Sequence, residues 1–183
     1  MRQKDILLML NSEEFYSYFD AMSQVHMYTK HYLLIAEEIS EEGVAFLQPL
    51  KEHRDAYDHL MRVFALSSKD YSVEKAKEYA LDNIKKAFGH EYRAFFDTAD
   101  WFTFICRKYI REELSFGAKK KQYTNKYDDY EQVKQLINEI PFLIAEYREK
   151  KDVSSQNNIL EEVLRYKSTM DELLEIYKRV KKL

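Results

Sequence analysis

The chain has 183 residues, 45% of them hydrophobic, and a formal net charge of −3 at pH 7. That length sets one domain, residues 1–183, as the expectation, and the near-neutral charge supplies no global field toward nucleic acid or an anionic membrane. A single cysteine excludes an internal disulfide framework, and three glycines and two prolines are too few for a sheet or a loop-rich fold.

An all-α chain with mostly short connections follows. Residues 2–10 read as a short lead-in helix, and their apolar run from Ile6 to Leu10 is too short for a signal peptide or a membrane span. A cytoplasmic protein is expected. Asn11 followed by Glu14 resembles a capping box. From there Phe15, Tyr18, Met22, Val25, Thr29, Tyr32, Ala36 and Ile39 step by three and four, which predicts a helix of about 28 residues. Glu41, Glu42 and Gly43 end it. The next helix, residues 46–64, has Pro49 in its first turn, where a missing N–H costs nothing. Its positions 47, 50, 54, 57, 61 and 64 form a heptad seam of Leu, Leu, Arg, Tyr, Met and Phe.

Ser72 reads as an N-cap for a third long helix running to about Leu114. Gly89 could split it, but Phe88, Tyr92, Phe95, Ala99, Phe102, Cys106 and Tyr109 keep one seam across the glycine, so one long helix, bent or straight, is expected. Residues 116–127 read as the longest loop. The next helix carries Val133, Leu136, Ile140, Leu143 and Tyr147, with Pro141 predicted to kink or break it. The last carries Ile159, Val163, Tyr166, Met170, Leu173, Tyr177 and Val180. About five long amphipathic helices with heptad-spaced seams predict an antiparallel bundle.

Chemistry concentrates in Arg54-Asp55-Ala56-Tyr57-Asp58-His59. One reading is a surface ladder, because Arg54–Asp58, Asp58–Arg62 and Asp55–His59 are all spaced i, i+4. The other starts from Arg54-x4-His59, which resembles the R-x4-6-H motif of the HEPN superfamily. That family comprises helical bundles that include metal-independent ribonucleases and RNA-binding partners of toxin–antitoxin and phage-defence systems. The resemblance implies an RNA-binding protein or a metal-independent endoribonuclease. His59 would move protons, Arg54 would stabilise the phosphorane charge, and Asp55 or Asp58 would orient them. Residues five apart on a straight helix point about 140° apart, and the family gathers both motif copies in a dimer cleft.

Other signals are fainter. No Glu-x-x-His, His-x3-His or cysteine cluster occurs, so no metal or other cofactor is expected. Asp97 and Asp100 lie in an apolar run, where carboxylates can act as acid and base, but Arg93 and Arg107 are at pairing distance along the helix. Lys119, Lys120, Lys121, Tyr123 and Lys126 form a basic stretch suited to phosphates and stacked bases, or to a solvated loop. Cys106 falls on a seam and reads as core. Six aromatics between Tyr92 and Cys106 exceed what one helix face buries in a monomer, which predicts a homo-oligomer through that segment. The alternative to an RNA enzyme is a non-catalytic helical scaffold that binds another protein through this aromatic face.

Overall fold

The computed structural model describes residues 3–40, 46–149 and 156–183. Among these the chain is helical: α1 (Gln3–Leu10), α2 (Glu13–Ile39), α3 (Leu47–Phe64), a 3-10 turn (Ala65–Ser68), α4 (Val73–Ser115), α5 (Ala118–Lys126), α6 (Tyr130–Glu149) and α7 (Gln156–Lys181). The five long helices are those the periodicity predicts. The end assigned to Glu41-Glu42-Gly43 lies outside the described residues.

α4 is the spine. Its 43 residues span about 64 Å at 1.5 Å per residue. Ser72 caps it as expected, its side chain accepting from the Lys75 N–H at 3.3 Å. The helix runs through Gly89 without a break, because that residue sits in mid-helix with ordinary geometry. Gly117 ends the run. Its φ of 87° lies in the left-handed region open to glycine, and the chain turns there into α5.

Contacts along the helices give their directions. His59 meets Asn83 while Glu52 meets His90 and Arg93, so α3 runs antiparallel to α4. Tyr18 meets Phe88 and Tyr32 meets Phe102, so α2 runs with α4. Tyr92 donates to Glu162 and Tyr109 packs on Tyr177, so α7 also runs with α4. Asp129 pairs with Arg179 while Tyr147 stacks on Tyr166, so α6 opposes α7. Consecutive long helices therefore alternate, the up-and-down order of an antiparallel bundle.

The main core joins α2, α4, α6 and α7, with Phe95, Phe102, Tyr166, Met170 and Ile140 fully buried. A smaller one at the start of α4 joins Ile6, Phe15, Val63, Leu66, Ala80 and Ile84.

Four local expectations change. α2 is capped at Ser12 rather than Asn11, with no side-chain cap bond. Pro141 lies inside a continuous α6 and does not break it. Residues 118–126 are helix, because Gly117 supplies the turn and the lysines that follow are good helix formers. The aromatic excess of α4 is met within the chain. Tyr92, Phe95, Phe96 and Phe102 are buried, Trp101 stacks on Phe46 with ring centroids 5.1 Å apart, and only Phe104 stands out, 58% exposed. The premise for self-association through the segment from Tyr92 to Cys106 falls away, since α2 and α7 together cover what one neighbour could not. No helix among the described residues is long and apolar enough to cross a membrane.

Candidate functional site

α3 carries two heptad seams, and the structure reverses the roles that apolarity suggests. The apolar one faces out: Leu47 is 69% exposed, Tyr57 61% and Phe64 51%. The inward seam is Pro49, Glu52, Ala56, His59 and Val63, with His53 beside it. Opposite lies an α4 seam of Ala76, Ala80, Asn83, Ala87, His90 and Ala94, again stepping by three and four. Alanines keep the α4 side thin and let the two helices approach closely. Space between the small residues is filled by imidazoles and carboxylates rather than by large apolar side chains.

Those polar groups form two linked clusters. In the first, Glu52 is buried and its Oε2 accepts from His90 Nδ1 at 2.8 Å and from Arg93 Nε at 2.9 Å. The same His90 Nδ1 lies 2.7 Å from Arg93 Nη2, so the imidazole, the carboxylate and the guanidinium form one network. Burial pushes the Glu52 carboxyl up, but the bonds from His90 and Arg93 outweigh it and hold the group below its ordinary value. His59 Nδ1 lies 3.0 Å from Asn83 Oδ1, and its ring stacks on His90 at 5.4 Å. The Asn83 amide is fixed in turn by donating to the Tyr79 carbonyl at 2.8 Å.

In the second cluster Glu91 is buried, and its Oε2 lies 3.1 Å from His26 Nδ1 of α2 and 3.3 Å from His53 Nε2 of α3. Burial raises the Glu91 carboxyl, and the two imidazoles more than reverse this. The hydrogen bond to Glu91 holds His26 above its ordinary value. Four of the five histidines thus lie along the α3–α4 interface, His26 joining it from α2.

Arg54 and His59 go to different places. The Arg54 guanidinium is 71% exposed and donates from Nε and Nη2 to Asp55 Oδ1 at 3.0 and 2.8 Å. That bond, with the nearby Arg54 and His90 charges, lowers the Asp55 carboxyl. Asp58 pairs with Arg62 at 2.5 Å. Of the predicted ladder only Asp58–Arg62 forms: Arg54 takes its neighbour Asp55, and His59 turns inward to Asn83. Arg93 reaches across to Glu52 and also lies 2.7 Å from His90 Nδ1 on its own helix.

No family model matches the chain, and no curated protein or solved structure matches it either. The site is therefore read from its geometry.

The basic stretch does not join it. Tyr123 is buried and donates to Asp129, which also binds Arg179 at 2.7 Å. It braces α5 on α7 and has no face to offer a base. Lys119 pairs with Glu113 at 2.6 Å, Lys120 lies over the Tyr130 ring and Lys126 over that of Tyr127. Lys121 is exposed. A cleft of about 350 Å³ opens nearby, with Arg111, Lys120 and Lys134 on its walls beside Ile110 and Tyr130. It lies at the C-terminal end of α4, about 30 Å from His90 along the helix. Cys106 is buried and its thiol is pushed up to about 12 by that burial, which suits core and not nucleophile.

Sequence reasoning missed Glu52, His53, Asn83, His90, Glu91 and Arg93 as site residues. One signal was present: Glu52-His53-Arg54 on α3 and His90-Glu91-Tyr92-Arg93 on α4 place the same residue types in both members of an adjacent helix pair.

Proposed function

We propose that the chain is a HEPN-like RNA-binding protein or metal-independent endoribonuclease, with its site on the α3–α4 seam. The observation that carries the reading is the stacked pair of His59 and His90, with Asp55 and Arg93 around it and Arg54 on the adjacent rim. Asn83 and Glu52 hold the Nδ1 of each ring, which leaves each Nε2 for proton transfer. His59 takes the proton of an RNA 2′-OH as its oxygen bonds to the adjacent phosphorus. The P–O5′ bond breaks, and the departing oxygen takes a proton from protonated His90. Arg54, exposed at the rim, offsets the charge of the phosphorane. The products are a 2′,3′-cyclic phosphate and a 5′-hydroxyl. A second copy docked on the outward seam of Leu47, Leu50, Tyr57, Met61 and Phe64 would bring two Arg54 residues together, while each His59 stays on the α4 side of its own helix pair.

A second reading has its own support. The same outward seam is an apolar strip on a helix face, the form of a protein-binding scaffold without catalysis.

The test is cleavage of single-stranded RNA in EDTA. Arg54→Ala and His59→Ala should each abolish cleavage while leaving the helical circular dichroism intact, since the exposed Arg54 costs under about 1 kcal/mol and the loss of the His59–Asn83 bond about 1–3 kcal/mol. Wild-type product should carry cyclic-phosphate ends. A wild type without nuclease activity or RNA affinity favours the scaffold; active Arg54→Ala and His59→Ala variants sink the site assignment.

A further inference from the structure

We propose that His26, His53 and Glu91 form a binding site for one divalent transition-metal ion of the zinc or cobalt type. The donors come from α2, α3 and α4, three helices fixed against one another by the core, and their ligating atoms lie within 4.8 Å of one another. Two imidazoles and a carboxylate are a donor set that such ions accept with a position left over for water. The two spacings to the carboxylate also fit, and the two imidazoles would close on the ion from within 4.8 Å of each other. With metal–ligand bonds of about 2.0–2.1 Å, a tetrahedral ion sets its ligands about 3.3 Å apart. The distances from Glu91 Oε2 to His26 Nδ1 and His53 Nε2 are 3.1 and 3.3 Å.

His53 supplies an independent sign. Its Nε2 is buried and faces Glu91 Oε2 at 3.3 Å, outside good hydrogen-bond geometry. A buried imidazole nitrogen so weakly bonded is costly, and a cation between it and the carboxylate satisfies both. Glu91 and His53 are the sheltered ligands, with side chains 8% and 18% exposed. His26 is 47% exposed, so it has room to close on an ion and its side gives solvent access to a fourth position. The ion would clamp α2 to the α3–α4 pair. It lies beside the His59–His90 stack without using either ring, and the inference does not depend on the ribonuclease reading.

The test is a Co²⁺ titration of the full chain after stripping with EDTA and dialysis. One Co²⁺ per chain should bind with a saturable visible absorption band, and Zn²⁺ should displace it. Zn²⁺ should also raise the Tm, since an ion that binds only the folded state stabilises it. His26→Gln, at a half-exposed position that leaves the fold in place, should lose both the band and the Tm rise. His53→Gln should do the same. His31→Gln, on the exposed side of α2, should keep both. Absence of a saturable 1:1 band in wild type overturns the site, and so does a His26→Gln variant that binds Co²⁺ as wild type does. In that case the three side chains only pair with one another. Cleavage of RNA in EDTA is scored separately and bears only on the groove.

Discussion

The two faces of α4 solve opposite problems. Toward α7 it presents Phe95 and Phe96, with Phe96 edge-on to Tyr166 at 4.5 Å, and toward α2 Phe102, edge-on to Tyr32. Toward α3 it presents alanines, Asn83, His90 and Glu91. Large rings hold helices together through buried apolar area, about 25 cal/mol per Å². Alanines bury little and bring the backbones close, which leaves room for charged groups between the helices. The comparison teaches where stability and chemistry reside. A helix anchored hard on one side can carry a buried, ionisable seam on the other, a seam that adds little to stability after its desolvation cost.

Three substitutions probe that contrast, beyond the nuclease and Co²⁺ tests above. Phe95→Ala should cost most, about 3–5 kcal/mol, because the ring is fully buried against Phe96 and Tyr166. Urea denaturation measures it, and a loss below 1 kcal/mol would break the claim that the aromatic face holds the bundle. Glu52→Ala should cost less, about 1–3 kcal/mol, by stranding His90 and loosening Arg93. If it costs as much as Phe95→Ala, the polar seam is structural to the same degree and the division fails. Gly89→Ala should stabilise by about 0.5–1 kcal/mol. Its added methyl would meet only Arg93 Nη1, at an ordinary 3.7 Å. A destabilised Gly89→Ala variant would show that the α3–α4 approach tolerates no added bulk there.

Much of the fold was legible. α2, α4 and α7 follow directly from steps of three and four through their apolar residues, and Ser72 marks the start of α4 by its capping hydroxyl. The site was legible only in part. Attention fell on α3, where Arg54, Asp55, Asp58 and His59 do lie, but the spacing could not say which of two seams turns inward. Apolarity pointed to Leu47, Leu50, Tyr57, Met61 and Phe64, and those residues face out. A tyrosine among lysines suggests a base-stacking residue, whereas Tyr123 braces α5 against α7 through Asp129.

The sequence by itself determined helix type, helix length and order, because those depend on residues within a few positions of one another: hydrophobic period, caps, and the scarcity of glycine and proline. Only the tertiary structure decided that His26, His53 and Glu91 share one point and that His59 rests on His90. Each of those groups is an ordinary helical residue within its own segment. Their meeting depends on the closeness that the α4 alanines allow and on the rotation of α3 about its axis, and no local spacing encodes either.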